Sequence, residues 1–86
     1  MYHKETKQNM VVLIAEYIRN EDATEEDYAE IVKAISAIDV EELKPTSPTN
    51  RLLQHTRYYV EAKSAAESRA QYRKMREELA LLEELS

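Results

Sequence analysis

The absence of glycine is the sequence feature that most constrains this chain. Glycine is the residue that readily adopts positive φ and lets two backbones approach closely. Without it, the Asn-Gly turns of tight β-hairpins and the glycine-rich loops that cradle phosphates in nucleotide-binding folds are excluded. The composition therefore argues against an all-β fold and predicts an all-α protein.

The second half of the chain consists mostly of strong helix formers, and no proline follows Pro48. Ser47 is placed to cap a helix whose first position is Pro48, which is the favoured arrangement. We predict one long C-terminal helix over residues 49–86. Such a helix would be about 55 Å long, whereas a compact chain of this length is about 30 Å across. The helix must therefore project, break or pack against another chain.

Two shorter amphipathic patterns precede the long helix. Residues 3–19 present one wide apolar helical face, formed by Met10, Leu13, Ile14, Tyr17 and Ile18. In the second pattern, Thr24 is followed by three acidic residues, which predicts a capped helix start. Its apolar stripe consists of Tyr28, Ile31, Val32, Ile35 and Ile38. Asp39 is placed to cap one further turn, which would tuck Val40 and Leu43 under the two helices.

These patterns predict a single structural domain with three parts. Residues 1–43 form an acidic helical hairpin with a short linker helix, residues 44–48 form a proline-containing linker, and residues 49–86 form the long helix. A chain of 86 residues buries a modest core and often gains stability by oligomerising. The apolar run at residues 10–15 is too short for a signal peptide or a membrane span. We expect a cytoplasmic protein with no membrane partner.

The apolar pattern of the long helix changes face along its length. Its first part uses one side, and its last part uses nearly the opposite side. Either the helix breaks near residues 69–72 and folds back, or it stays straight and packs its last part against another chain. Because no glycine or proline marks a break, we favour the straight helix. The predicted oligomer interface consists of Tyr72, Met75, Leu79, Leu82 and Leu85.

This interface is predicted to be short. Arginines interrupt a heptad repeat along the earlier part of the helix, and the apolar residues of the last part cover fewer than about two heptads. We therefore expect self-association as a short coiled coil or a helical bundle.

Charge is strongly segregated along the chain. Residues 1–43 carry a net charge of −7, residues 44–76 carry +6 and residues 77–86 carry −4, which together give the −5 of the whole chain. The basic stretch and the acidic regions attract each other, within one chain or between antiparallel partners. Exposed ion pairs contribute about 0–1 kcal/mol each, so this pattern sets orientation more than stability.

The basic stretch has a second interpretation, as a face that binds a partner or nucleic acid. Arginines on one helix stripe can track phosphates, and polar residues at a helix start can enter a major groove. The candidate residues are Asn50, Arg51, Arg57, Arg69, Arg73 and Arg76. The connection at residues 39–47 is longer than the turn of roughly three or four residues in a helix-turn-helix, which argues against that motif.

A dense negative patch at one end of the predicted hairpin offers a third interpretation. Such a patch can mimic nucleic acid and inhibit a nucleic-acid enzyme by occupying its basic site. The patch consists of Glu21, Asp22, Glu25, Glu26, Asp27 and Glu30. The simpler explanation is a helix start whose acidic residues stabilise the helix dipole.

No motif indicates catalysis, a metal or another cofactor. The chain has no cysteine, and its two histidines, His3 and His55, lack a metal-binding spacing. The glutamates near the end of the chain are typical of a solvated helix face. We therefore expect a non-enzymatic regulator, inhibitor or assembly factor, whose partners are a second copy of itself and an unidentified protein.

Overall fold

The computed structural model describes residues 7–85, and every element in that range is helical. The helices are α1 (Lys7–Arg19), α2 (Glu25–Ser36), a 3₁₀ helix (Val40–Leu43), α3 (Pro48–Glu61) and α4 (Ala65–Leu85). The predicted all-α fold is thus confirmed. The expected start of the first helix, at residue 3, lies outside the described residues. None of the described helices is long and apolar enough to cross a membrane.

The helix starts follow the local sequence signals. Thr24 and Asp27 form a capping box at α2: the Asp27 amide donates to Thr24 Oγ1 at 3.3 Å, and the Thr24 amide donates to Asp27 Oδ2 at 2.9 Å. Asp39 caps the 3₁₀ helix and Ser47 caps α3, with Pro48 in its first turn. These short-range predictions are confirmed.

The predicted single helix over residues 49–86 is wrong. The helix is interrupted at residues 62–64, and α4 runs back along α3. The described part of the chain consequently measures 35 Å along its longest axis, which is shorter than the straight helix of about 55 Å would be. The alternative of a helix that folds back is closer to the structure, but the break lies before the expected position near residues 69–72.

A serine cap begins α4 after this interruption, which contains neither glycine nor proline. Ser64 Oγ accepts a hydrogen bond from the Glu67 amide at 3.1 Å. The Glu67 carboxylate in turn accepts one from the Lys63 amide at 3.3 Å. Ala62, the last residue before the turn, has an extended backbone with φ −60° and ψ 138°. Ser64 thus satisfies an amide of the first turn of α4, which lacks an intrahelical partner, and Glu67 binds the amide of the preceding turn residue.

The core is built around α3, which contacts α1, α2, the 3₁₀ helix and α4. Leu52 and Leu53 are both 0% exposed. The buried Thr56 hydroxyl donates to the Leu52 carbonyl at 2.8 Å, so it is satisfied within the helix. The other buried side chains are Met10, Ile14, Ala15, Ile31, Ile35, Ile38, Leu43, Met75 and Leu79. Val40 is 60% exposed, which corrects the expectation that it packs under the helices.

Candidate functional site

Two grooves between α1 and α4 are the candidate sites, and they differ in chemistry. The apolar groove, along α1 and at the end of α4, has a volume of about 500 Å³. Its walls include Val11, Val12, Ala15, Leu79, Leu82 and Leu85. The basic groove, at the other end of the same two helices, has a volume of about 530 Å³. Its lining includes Tyr17, Tyr59, Tyr72, Arg69, Arg73 and Arg76.

The apolar groove exposes large hydrophobic side chains from both of its walls. Val12 of α1 is 49% exposed and Leu85 of α4 is 69% exposed. Arg19 and Glu83 form an ion pair between the two helices and tie the walls together. Exposed apolar side chains gathered at one groove, with charged groups beside them, are typical of surfaces that bind other proteins.

The residues of the predicted oligomer interface take different places in the structure. Met75 and Leu79 are 0% and 6% exposed, because α4 folds their stripe onto the core. These two side chains are therefore core residues of one chain and are not available at its surface. Tyr72 is half-buried, and its ring centroid lies 5.7 Å from that of Tyr59. Leu82 and Leu85 line the apolar groove.

Three arginines of the basic groove lie on one face of α4. Arg69, Arg73 and Arg76 are exposed, and within residues 7–85 none of them forms an ion pair or a hydrogen bond. The adjacent Glu77 carboxylate lies 3.9 Å from Lys74 Nζ instead. The groove therefore presents three guanidinium groups to solvent without a neutralising carboxylate in the described part of the chain.

Four tyrosines, one from each α-helix, form a cluster, and three of them line the groove together with these arginines. The ring centroids of Tyr17, Tyr28, Tyr59 and Tyr72 lie 5.7–6.4 Å from their neighbours, in the tilted and edge-to-face arrangements that aromatic pairs prefer. The Tyr72 hydroxyl donates to the Ile18 carbonyl at 3.3 Å. The Tyr17 and Tyr59 hydroxyls are 3.0 Å apart, so one donates to the other. The accepting hydroxyl keeps its own proton and so remains a hydrogen-bond donor.

The tyrosine cluster should make stability depend on alkaline pH. Burial raises the pKa of the Tyr59 hydroxyl far above its usual value, and the hydrogen bond with Tyr17 raises it further. Above about pH 10 the unfolded chain loses this proton while the folded chain keeps it, so folding stability falls as pH rises. We expect the thermal midpoint, followed by circular dichroism, to decline above about pH 10 and Tyr59→Phe to flatten the decline.

Tyr58 provides the matched control for this measurement, because it is 45% exposed and adjacent in sequence. Tyr58→Phe should retain the alkaline decline of the wild type. An equally steep decline in Tyr59→Phe would assign the pH dependence to other groups.

The residues of the predicted nucleic-acid face are also divided by the structure. The Asn50 side chain donates to the Lys44 carbonyl at 2.8 Å and so holds the linker before α3. Arg51 Nε donates to both carboxylate oxygens of Glu78, each at 3.1 Å. Arg57 donates to backbone carbonyls at the end of α2. These three side chains connect elements of the fold, which leaves the arginines of the basic groove to face solvent.

The predicted acidic patch is exposed except at Asp27, which is half-buried and belongs to the capping box. The turn between α1 and α2, which carries the first two acidic residues of the patch, borders the basic groove through Asn20 and Ala23. A role for the patch as a mimic of nucleic acid stays a prediction.

Some groove residues escape sequence analysis. Val12 lies outside the apolar stripe of α1. This position is the one sequence signal that could have indicated an exposed apolar side chain there. Tyr17 and Tyr59 form a pair across 42 positions of sequence, which no local pattern indicates.

The described residues contain no cluster of histidine, cysteine, aspartate or glutamate side chains that could hold a metal ion. Comparisons of the chain with models of protein families, with curated proteins and with solved structures found no significant match. The functional interpretation therefore rests on the two grooves and their residues.

Proposed function

We propose that this chain is a non-enzymatic protein that acts by binding protein, as a small regulator, inhibitor or assembly factor, and that it self-associates through the apolar groove. The observation that carries the proposal is the exposure of Val12 and Leu85, at 49% and 69%, on the two walls of one groove. Covering such side chains removes apolar surface from water, which is the main driving force of protein association.

A second copy of the chain is the occupant that this groove favours. An interface between two identical chains related by a two-fold axis uses the same patch on both, so the patch must be self-complementary. The apolar groove meets this condition, because it offers a recess beside the half-buried Leu82 and a projecting side chain, Leu85, that can fill the recess of the partner. The α1 and α4 helices of two copies would then form a helical bundle.

The test is the mass of the chain in solution, measured by light scattering from low to high micromolar concentration. We expect the wild type to exceed the mass of one chain at high concentration. The double variant Val12→Glu with Leu85→Glu should have the mass of one chain throughout, because each copy would bring two carboxylates into the shared apolar surface. Both side chains are exposed, so circular dichroism should show an unchanged helical fold.

Val40→Glu is the matched control, because Val40 is 60% exposed and lies on the 3₁₀ helix outside the apolar groove. This variant should associate as the wild type does. A wild type that has the mass of one chain at every concentration, or a Val40→Glu variant that dissociates as fully as the double variant, would contradict the proposal.

A further inference from the structure

Self-association through the apolar groove leaves the basic groove unexplained. The chain has six arginines. Three of them form ion pairs with glutamates: Arg19 with Glu83, Arg51 with Glu78 and Arg57 with Glu61. The other three have no such partner among residues 7–85, and all three line the same groove. The unpaired positive charge of these arginines is thus concentrated at one place in the fold.

The spacing of these arginines suits a row of negative groups. Arg73 follows Arg69 by one helical turn, and Arg76 follows by slightly less than another, so the three Cα atoms extend over about 10 Å of α4. A guanidinium group binds phosphate through two parallel hydrogen bonds. Three such groups in a row can contact successive phosphates of one strand, whereas a single small anion would use only one or two of them.

The aromatic side of the groove adds a second requirement for the ligand. Tyr17, Tyr59 and Tyr72 line it beside the arginines, and the Tyr17–Tyr59 pair retains one hydroxyl proton to donate. Proteins that bind single-stranded nucleic acid combine a positive groove with aromatic side chains that contact the bases. An acidic peptide segment, such as the acidic patch of a second copy, would match the arginines but would leave the aromatic side unused.

The surroundings of the groove limit the size of the ligand. The turn between α1 and α2 closes one side through Asn20 and Ala23, and its two acidic residues repel phosphates beyond that edge. The net charge of −5 likewise disfavours contact with a long polyanion outside the groove. A short single-stranded segment fits these limits better than a duplex, whose bases are stacked inside.

We infer that the basic groove is a binding site for a short single-stranded nucleic acid, in which Arg69, Arg73 and Arg76 contact phosphates and the tyrosines contact a base. The site is separate from the apolar groove, so its occupation does not depend on self-association. With three phosphate contacts on a single strand, the logarithm of the association constant should fall against the logarithm of salt concentration with a slope of about −2.

The test is the fluorescence anisotropy of a labelled oligothymidine of about eight nucleotides, titrated with the full chain at several salt concentrations. We expect binding at low salt with the slope given above. Arg73→Glu removes the central contact and adds repulsion, and it should weaken binding at least about tenfold. Arg76→Glu should act in the same direction. Inorganic phosphate and thymidine monophosphate, as competitors, should displace the oligonucleotide only at far higher concentration, because each supplies a single phosphate.

Lys74→Glu is the matched control, since Lys74 is an exposed cation next to Arg73 that does not line the groove. It makes the same change in net charge and should weaken binding less than about twofold. Equal losses in Arg73→Glu and Lys74→Glu would overturn the inference in favour of general charge attraction. The absence of binding at low salt would overturn it as well. A third result would also overturn it: the wild type does not bind the oligonucleotide, and Arg73→Glu changes the mass of the particle in solution. That result would identify a second copy of the chain as the occupant of the groove.

Discussion

Replacing Met75 with glutamate is expected to unfold the chain under conditions in which the wild type is folded. Met75 is 0% exposed and packs in the core shared by α1, α2, α3 and α4. Truncation of a buried methionine costs about 2–5 kcal/mol, and an unpaired buried carboxylate adds its own desolvation cost. A loss of about 4 kcal/mol or more would remove most of the stability of a domain this small. Thermal unfolding followed by circular dichroism measures it.

Leu81→Glu is the control for this substitution, because Leu81 is on the same helix and 37% exposed. It should change stability by about 0.5 kcal/mol or less. The comparison also distinguishes the folded-back structure from a straight C-terminal helix. In a straight helix Met75 would lie between chains, and Met75→Glu would lower the mass of the particle while leaving its helical content intact. That result would contradict the core described above.

Replacing Arg57 with alanine should produce the second large loss of stability. Arg57 Nη2 donates to the carbonyls of Ile35 and Ile38, at 3.3 and 2.7 Å, and so binds the end of α2 to α3. The Ile38 carbonyl lies just beyond the end of α2, whereas the Ile35 carbonyl also accepts from the Ile38 amide at 3.3 Å. Hydrogen bonds from charged groups contribute about 1.5–3 kcal/mol. We expect a loss of about 2 kcal/mol, which lowers the thermal midpoint by roughly 8–16 °C in a domain of this size.

Two further variants make the Arg57 measurement specific. Arg57→Lys should recover only part of the stability, because one ammonium group cannot reproduce the fork of the guanidinium group. Arg73→Ala removes an exposed arginine with no partner among the described residues, and it should change stability by about 0.5 kcal/mol or less. Equal losses in Arg57→Ala and Arg73→Ala would show that the hydrogen bonds to α2 contribute little.

The parts of the fold that depend on neighbouring residues can be predicted from the sequence. The cap at Thr24 and the Ser47-Pro48 start of α3 are recognisable because every group involved lies within four residues of the others. Ser64 and Glu67 have the same kind of signal, the spacing of a capping box. Strong helix formers on both sides of Ser64 favour a continuous helix and so hide this signal. Helix propensities nevertheless differ by only about a few tenths of a kcal/mol per residue. Burial of Met75 and Leu79 against the core of the same chain favours the folded-back helix.

The candidate sites are less predictable, because they depend on contacts between distant residues. Arg51 and Arg73 cannot be distinguished in the sequence, because both are arginines of the same basic stretch on the predicted helix. The structure separates them, because Glu78 lies 27 positions from Arg51 in sequence but within hydrogen-bond distance of it. A charge pattern can therefore locate the basic stretch, but only the folded chain shows which of its arginines face solvent.

The short connection between α3 and α4 favours early pairing of these two helices. His55 and Gln71, which pair across this connection, are 16 positions apart, whereas Tyr17 and Tyr59, which join α1 to α3, are 42 positions apart. The entropy lost on closing a loop grows with its length, so α3 and α4 pair at lower entropic cost. The N-terminal helices emerge first from the ribosome, but they dock mainly on α3, which follows them in the chain and pairs with α4. We therefore expect α1 and α2 to dock only after α3 and α4 have paired, so that the native core assembles only after α4 has been synthesised.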